Sequence, residues 1–102
     1  MPTFIPPYLN PITERPPRTV SQTNFFSQQL SLIIPSTKHA IFENIIYGRL
    51  DLLEKPEIFP KDEGNTTNRI LYIEETNEIP NMKITFTFDE AYITLLTVTN
   101  WN

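Results

Sequence analysis

Met82-Lys83-Ile84-Thr85-Phe86-Thr87-Phe88-Asp89 alternates apolar and polar side chains without a break, and the fold follows from this stretch. Successive side chains of an extended strand point to opposite faces. Met82, Ile84, Phe86 and Phe88 therefore form one apolar face, and Lys83, Thr85, Thr87 and Asp89 form the other. Downstream, Asp89-Glu90-Ala91 reads as a short turn into a second strand, Tyr92 to Thr99. Upstream, Arg69 to Glu75 reads as a third. Residues 69–99 thus predict an antiparallel meander whose apolar face needs a cover.

A helix supplies that cover. Ile41, Phe42, Ile45, Ile46, Leu50 and Leu53 recur at helical spacing, so one main helix is expected from an N-cap at Ser36 or Thr37 to about Glu54. Gly48 weakens it by ~1 kcal/mol relative to alanine, and Pro56 stops it. Residues 54–69 hold Pro56, Pro60, Gly64 and a polar run, and read as a loop. Residues 24–34 support two readings. Phe26, Leu30, Ile33 and Ile34 fit a helix, whereas Leu30, Leu32 and Ile34 alternate as in a strand, and the alternation favours a strand over Gln28 to Ile34. The expected fold class is α+β: one main helix on a three- to four-stranded antiparallel meander.

Pro2, Pro6, Pro7, Pro11, Pro16 and Pro17 crowd the start of the chain. Each fixes φ and removes a backbone donor, and the residue before each is pushed toward extended conformations. Residues 1–20 are therefore expected to form an extended, proline-rich arm, with the α+β domain occupying residues 21–102. Solvated linkers are poor in large apolar groups, yet this arm interleaves Phe4, Ile5, Tyr8, Leu9 and Ile12 with its prolines. Phe4, Ile5, Pro6, Pro7, Tyr8, Leu9 and Ile12 are the expected partner-binding residues. Recognition by SH3 or WW modules is a weak reading, because the arm has no P-x-x-P spacing.

Composition narrows the function. A chain of 102 residues with 39% hydrophobic side chains, seven Phe, four Tyr and one Trp can build one core. The net charge of -4 opposes nucleic-acid binding. Its distribution is uneven, since residues 1–42 carry +2 (Arg15, Arg18 and Lys38 against Glu14) and residues 43–102 carry -6 (five bases against eleven acids). Zero cysteines excludes disulfides and thiolate chemistry. No segment approaches the ~20 apolar residues of a membrane helix, and prolines interrupt any signal-peptide core, so a soluble protein, intracellular or virion-associated, is expected.

No catalytic or cofactor constellation stands out. His39 has no second base to pair with, and Glu74, Glu75 and Glu78 lie where carboxylates face solvent. Asp62, Glu63 and Asn65 lack the spacing of a calcium loop. Two glycines cannot form a phosphate-binding loop. No cofactor, no metal and no catalytic residue are expected. Asn65-Thr66-Thr67 reads as a polar loop without a secretory signal beside it. The outer threonines Thr85, Thr87, Thr94, Thr97 and Thr99 suit either a solvated sheet face or a second binding surface.

The order of helix and meander, with His39-Ala40 opening the helix and NRILYIEE, MKITFTFDE and YITLLTVT following, resembles the small RelE/BrnT-type toxins that cleave messenger RNA. The likeness covers about residues 36–101. It implies ribonuclease activity on a basic RNA-binding body, where this body carries -6. The favoured expectation is instead a non-enzymatic structural or protein-protein interaction subunit, of the kind found in virions and other large assemblies. Its arm would bind a neighbouring chain. A toxin-like ribonuclease is the first alternative, and an acidic inhibitor or nucleic-acid decoy the second.

Overall fold

The computed structural model describes residues 17–101. Five strands and three α-helices alternate along the chain as β1 (Thr19–Gln22), α1 (Asn24–Ile33), α2 (His39–Tyr47), α3 (Leu50–Glu54), β2 (Lys61–Asp62), β3 (Asn65–Ile73), β4 (Met82–Phe88) and β5 (Tyr92–Asn100). The strands form one sheet in the order β1-β5-β4-β3-β2. The fold class is α+β, and the meander β3-β4-β5 is antiparallel as expected. The sheet is nevertheless mixed, because β1 pairs parallel to β5, with Val20 opposite Ile93. Five strands replace the expected three or four, and three helices replace the one.

The alternation in β4 is realised in the packing. Met82, Ile84 and Phe86 are completely buried, and they form one cluster with Phe26, Leu30 and Ile34 of the α1 region, Phe42 and Ile46 of α2, and Leu52 and Leu53 of α3. Phe26 packs on Phe42 at 5.9 Å between ring centroids, and Phe86 meets Phe59 edge to face at 5.8 Å. All three helices thus contribute to the cluster under one face of the sheet.

Residues 24–33 are a helix, which overturns the strand expected over 28–34. Thr23 caps it, its hydroxyl oxygen accepting from the Phe26 amide at 3.0 Å. Phe26 and Leu30 are buried together, whereas Leu32, which a strand would have buried with Leu30, is 88% exposed. The main helix also breaks. Ser36 and Thr37 make no side-chain cap and instead start a single 3-10 turn before α2. At the other end Gly48 donates to the Asn44 carbonyl at 2.9 Å, and a Cβ at Gly48 would lie 3.1 Å from that oxygen. Arg49 then leaves helical geometry with ψ at 85° before α3 begins. The break rotates the apolar stripe, so Leu52 is buried and Leu50, expected in the core, is 58% exposed.

A register shift in β5 fixes the side-chain parity. Phe86 pairs with Leu95 and Thr85 with Thr97, which leaves Leu96 as an extra residue. Ile93 and Leu95 before the bulge, and Val98 after it, therefore all face the core, while Thr94, Thr97 and Thr99 share the outer face. Where β1 ends, α1 takes over the β5 edge. The Thr23 amide donates to Leu95 O at 3.1 Å, and the Gln29 side chain accepts from the Val98 amide at 2.9 Å. Among the described residues no helix is long and apolar enough to cross a membrane.

This packing predicts unequal costs along β4. Phe86→Ala should lower unfolding free energy by about 3–5 kcal/mol, because a buried aromatic leaves a cavity. Thr87→Ala, on the outer face opposite Thr94, should cost under about 1 kcal/mol. Urea denaturation of both variants checks the assignment of faces.

Candidate functional site

The expected arm residues Phe4, Ile5, Pro6, Pro7, Tyr8, Leu9 and Ile12 lie outside the described residues. The point at which the arm joins the domain is described in detail. Arg18 is only 6% exposed and is the one buried charged residue among those described. Its amide donates to Leu53 O at 3.3 Å. Its guanidinium donates to the carbonyls of Asp89, Leu53 and Glu54, the last two at 3.2 and 3.3 Å. Those two carbonyls close the last turn of α3, where the helix presents partial negative charge. Backbone oxygens, with no carboxylate among the described residues, thus hold this cation.

Phe88 meets two arginines. The guanidinium carbons of Arg18 and Arg69 each sit 5.6 Å from the centre of its ring, within range of a cation-π contact. Arg69 also donates to the carbonyls of Glu57 and Phe59. The two arginines therefore tie β1 and β3 to the backbone that follows α2. Asp89 completes this end of the sheet by accepting from the amides of Ala91 and Tyr92, both at 2.8 Å. Those two amides, with a smaller contribution from the Arg18 charge, hold the Asp89 carboxyl below its ordinary value of 3.8. Asp51 is lowered too, first by the Arg49 side chain, which it meets at 3.0 Å.

The opposite face of the sheet is the second element of the site. Ile70, Tyr72, Lys83, Thr85, Thr87, Thr94, Thr97 and Thr99 share it by register. Trp101 follows β5 on the same side and meets Tyr72 edge to face at 5.0 Å. Its indole nitrogen is buried with no acceptor among the described residues. Beside this pair the β2-β3 hairpin borders a cavity of about 400 Å³, lined by Pro60, Lys61, Asp62, Glu63, Ile70, Tyr72 and Lys83.

The residues weighed for chemistry serve local structure. His39 is half-buried, with Nε2 3.4 Å from Ile34 O. Asp62 accepts from the Gly64 amide at 3.1 Å, and Asn65 from the amide and hydroxyl of Thr67 at 3.1 and 2.7 Å. Glu74, Glu75 and Glu78 are exposed. Among the described residues no three His, Cys, Asp or Glu side chains converge as metal ligands would. The chain matches no protein-family model, and no curated protein is significantly similar to it.

Sequence reasoning missed Arg18 and the Tyr72-Trp101 pair. Arg18 counted only as one positive charge, and nothing local marks an arginine for burial. The aromatic pair joins β3 to the end of β5, so only the sheet register reveals it.

Two outcomes follow. Arg18→Met keeps an apolar stem but removes the side-chain donor from the Asp89 and Glu54 carbonyls, leaving Leu53 O only the backbone amide, and should cost about 2–4 kcal/mol in a thermal or urea melt. Arg49→Met, which breaks an ion pair of half-exposed groups, should cost under about 1 kcal/mol. The second outcome concerns acid. The folded-state values of Asp89 and Asp51 lie below the unfolded one, so their stabilisation is present above pH 3.8 and lost as pH falls through the depressed values. Asp89→Asn, which keeps an accepting oxygen, should flatten the fall of the urea midpoint below pH 4.

Proposed function

We propose that this protein is a non-enzymatic interaction subunit whose N-terminal arm binds a neighbouring chain, as a component of a larger assembly. The arm itself carries the reading. Five large apolar side chains between residues 4 and 12 alternate with prolines that prevent them from entering a helix or a central strand. A segment stiffened by proline loses less conformational entropy on binding than a glycine-serine tail, so its apolar groups can be spent on a partner surface.

The anchoring of Arg18 supports this reading. Residue 17 follows directly on the arm, and residue 18 is fixed by four hydrogen bonds to α3 and the β4-β5 turn. An arm rooted on a rigid point delivers its apolar residues from a defined origin. The outer sheet face, which none of the three helices covers, is a second surface that an assembly of such subunits could use.

Truncation tests the proposal. Arg18 and β1 take part in the fold, so the deletion that removes the arm alone ends at residue 16. Removing residues 1–16 should leave the circular dichroism spectrum of the folded domain in place and abolish association, measured by size-exclusion chromatography with light scattering. An unchanged assembly, or a collapsed fold, overturns the reading. Arrest of cell growth on expression, relieved by His39→Ala, would replace it with the ribonuclease alternative.

A further inference from the structure

We infer that the outer edge of β1, with the cleft between it and α2, binds a short, extended, basic peptide by adding it to the sheet as a further strand. The inference goes beyond the role proposed for the arm and does not rest on it.

The backbone of β1 supplies the first support. The amides of Thr19 and Thr23 donate to Ala91 O and Leu95 O. Polar backbone groups of a strand alternate between its two edges, so those of Thr19 and Ser21 face β5, and those of Val20 and Gln22 face away from it. Tyr47 agrees with that direction, since its hydroxyl, carried by α2, donates to Val20 O at 3.3 Å. The amides of Val20 and Gln22 and the Gln22 carbonyl have no partner among the described residues. Val20 O keeps a second lone pair. An antiparallel strand with residues opposite Val20 and Gln22 therefore pairs all four groups, as in recognition by strand addition.

The two edges of the sheet are built differently. Edges closed to strand addition carry charge, proline or a bulge. At the far edge β2 consists of Lys61 and Asp62, follows Pro60 and shifts register against β3. β1, with the sequence Thr-Val-Ser-Gln, has no charge, proline or bulge.

The cleft selects the side chains of the occupant. Val20 packs against the core, so Val20 and Gln22 face the helical side, while Ser21 meets Thr94 on the outer face. A residue added opposite Val20 points the same way, toward a cleft of about 160 Å³ lined by Phe42, Ile46 and Leu95. An apolar space of that order accepts a benzene ring, so one leucine side chain fits it. Tyr47, 51% exposed, adds an aromatic wall. Glu43 is exposed and is the only charged residue lining the cleft. A lysine two positions from the leucine lies on the same face and meets that opposite charge.

The probe is acetyl-Lys-Thr-Leu-Thr-Lys-amide, titrated into the full-length ¹⁵N-labelled chain. Hydrogen exchange at the Val20 and Gln22 amides should slow at least about tenfold at saturation, with Ser21, already bonded to β5, changing less. Leucine methyl protons should show cross-peaks with the Phe42 ring. N-methylation of the leucine removes the N–H that faces β1, and should weaken binding about tenfold. Glu43→Lys, at an exposed position, should reverse the preference between this peptide and its counterpart with glutamate in place of lysine. Absence of binding, unchanged exchange at Val20 and Gln22, or equal affinity for the two peptides overturns the inference. Slow exchange at both amides in the peptide-free chain at every concentration assigns the edge to this chain's own residues, and slowing that grows with chain concentration assigns it to a second copy. Either result overturns the peptide occupant.

Discussion

Burial of Met82, Ile84 and Phe86 on one side of β4 is the constraint from which the rest of the architecture follows. These side chains stand at the middle of the sheet, and only a helical layer on that side can exclude water from them. Phe26 and Leu30, Phe42 and Ile46, and Leu52 and Leu53 supply that layer from three short helices. Each helix is too short to be stable alone, so its structure depends on the shared core. The one-sided arrangement also leaves the other face to threonine, Ile70, Tyr72, Lys83 and Trp101.

Parity and edges are managed by two small devices. The extra residue at Leu96 lets Leu95 and Val98 face the same way although an odd number of positions separates them. Without it, Val98 would turn to solvent and Thr97 to the core. The second device is the handover from β1 to α1 along β5. Gln29 and Thr23 occupy hydrogen-bonding groups that a longer β1 would have used, so this edge does not invite another strand.

The sequence revealed most where side-chain period alone decides structure. β4 and β5 were legible to within a residue, because alternation over a whole strand has no helical counterpart. Residues 24–34 were not, because Leu30 and Ile34 satisfy both periods and the decision fell to Phe26 packing on Phe42. The helix break at Gly48 was signalled as a weak point, but its consequence, the exchange of Leu50 for Leu52 in the core, depends on the Arg49 backbone. β1 carries a single apolar residue, Val20, and its pairing is decided by a partner at the far end of the chain. For the same reason the candidate site was half legible. The arm stands out in composition, whereas the buried Arg18 that follows it and the Tyr72-Trp101 pair exist only after folding.

The parallel pair of β1 and β5 carries a kinetic consequence. Ser21 and Thr94 meet across 73 positions of sequence, as do Thr23 and Leu96, the largest separation in side-chain hydrogen bonding among the described residues. Contacts of such long range are the slowest to form, since the intervening chain must first be ordered. During synthesis β1 emerges early and waits, unpaired, until β5 has left the ribosome. The β3-β4 hairpin can form before that moment, but Arg18 has no fixed place until β1 is seated and its guanidinium finds the Asp89 carbonyl. The edge that seats Arg18 is therefore among the last parts of the domain to be completed, although its own residues are among the first to be made.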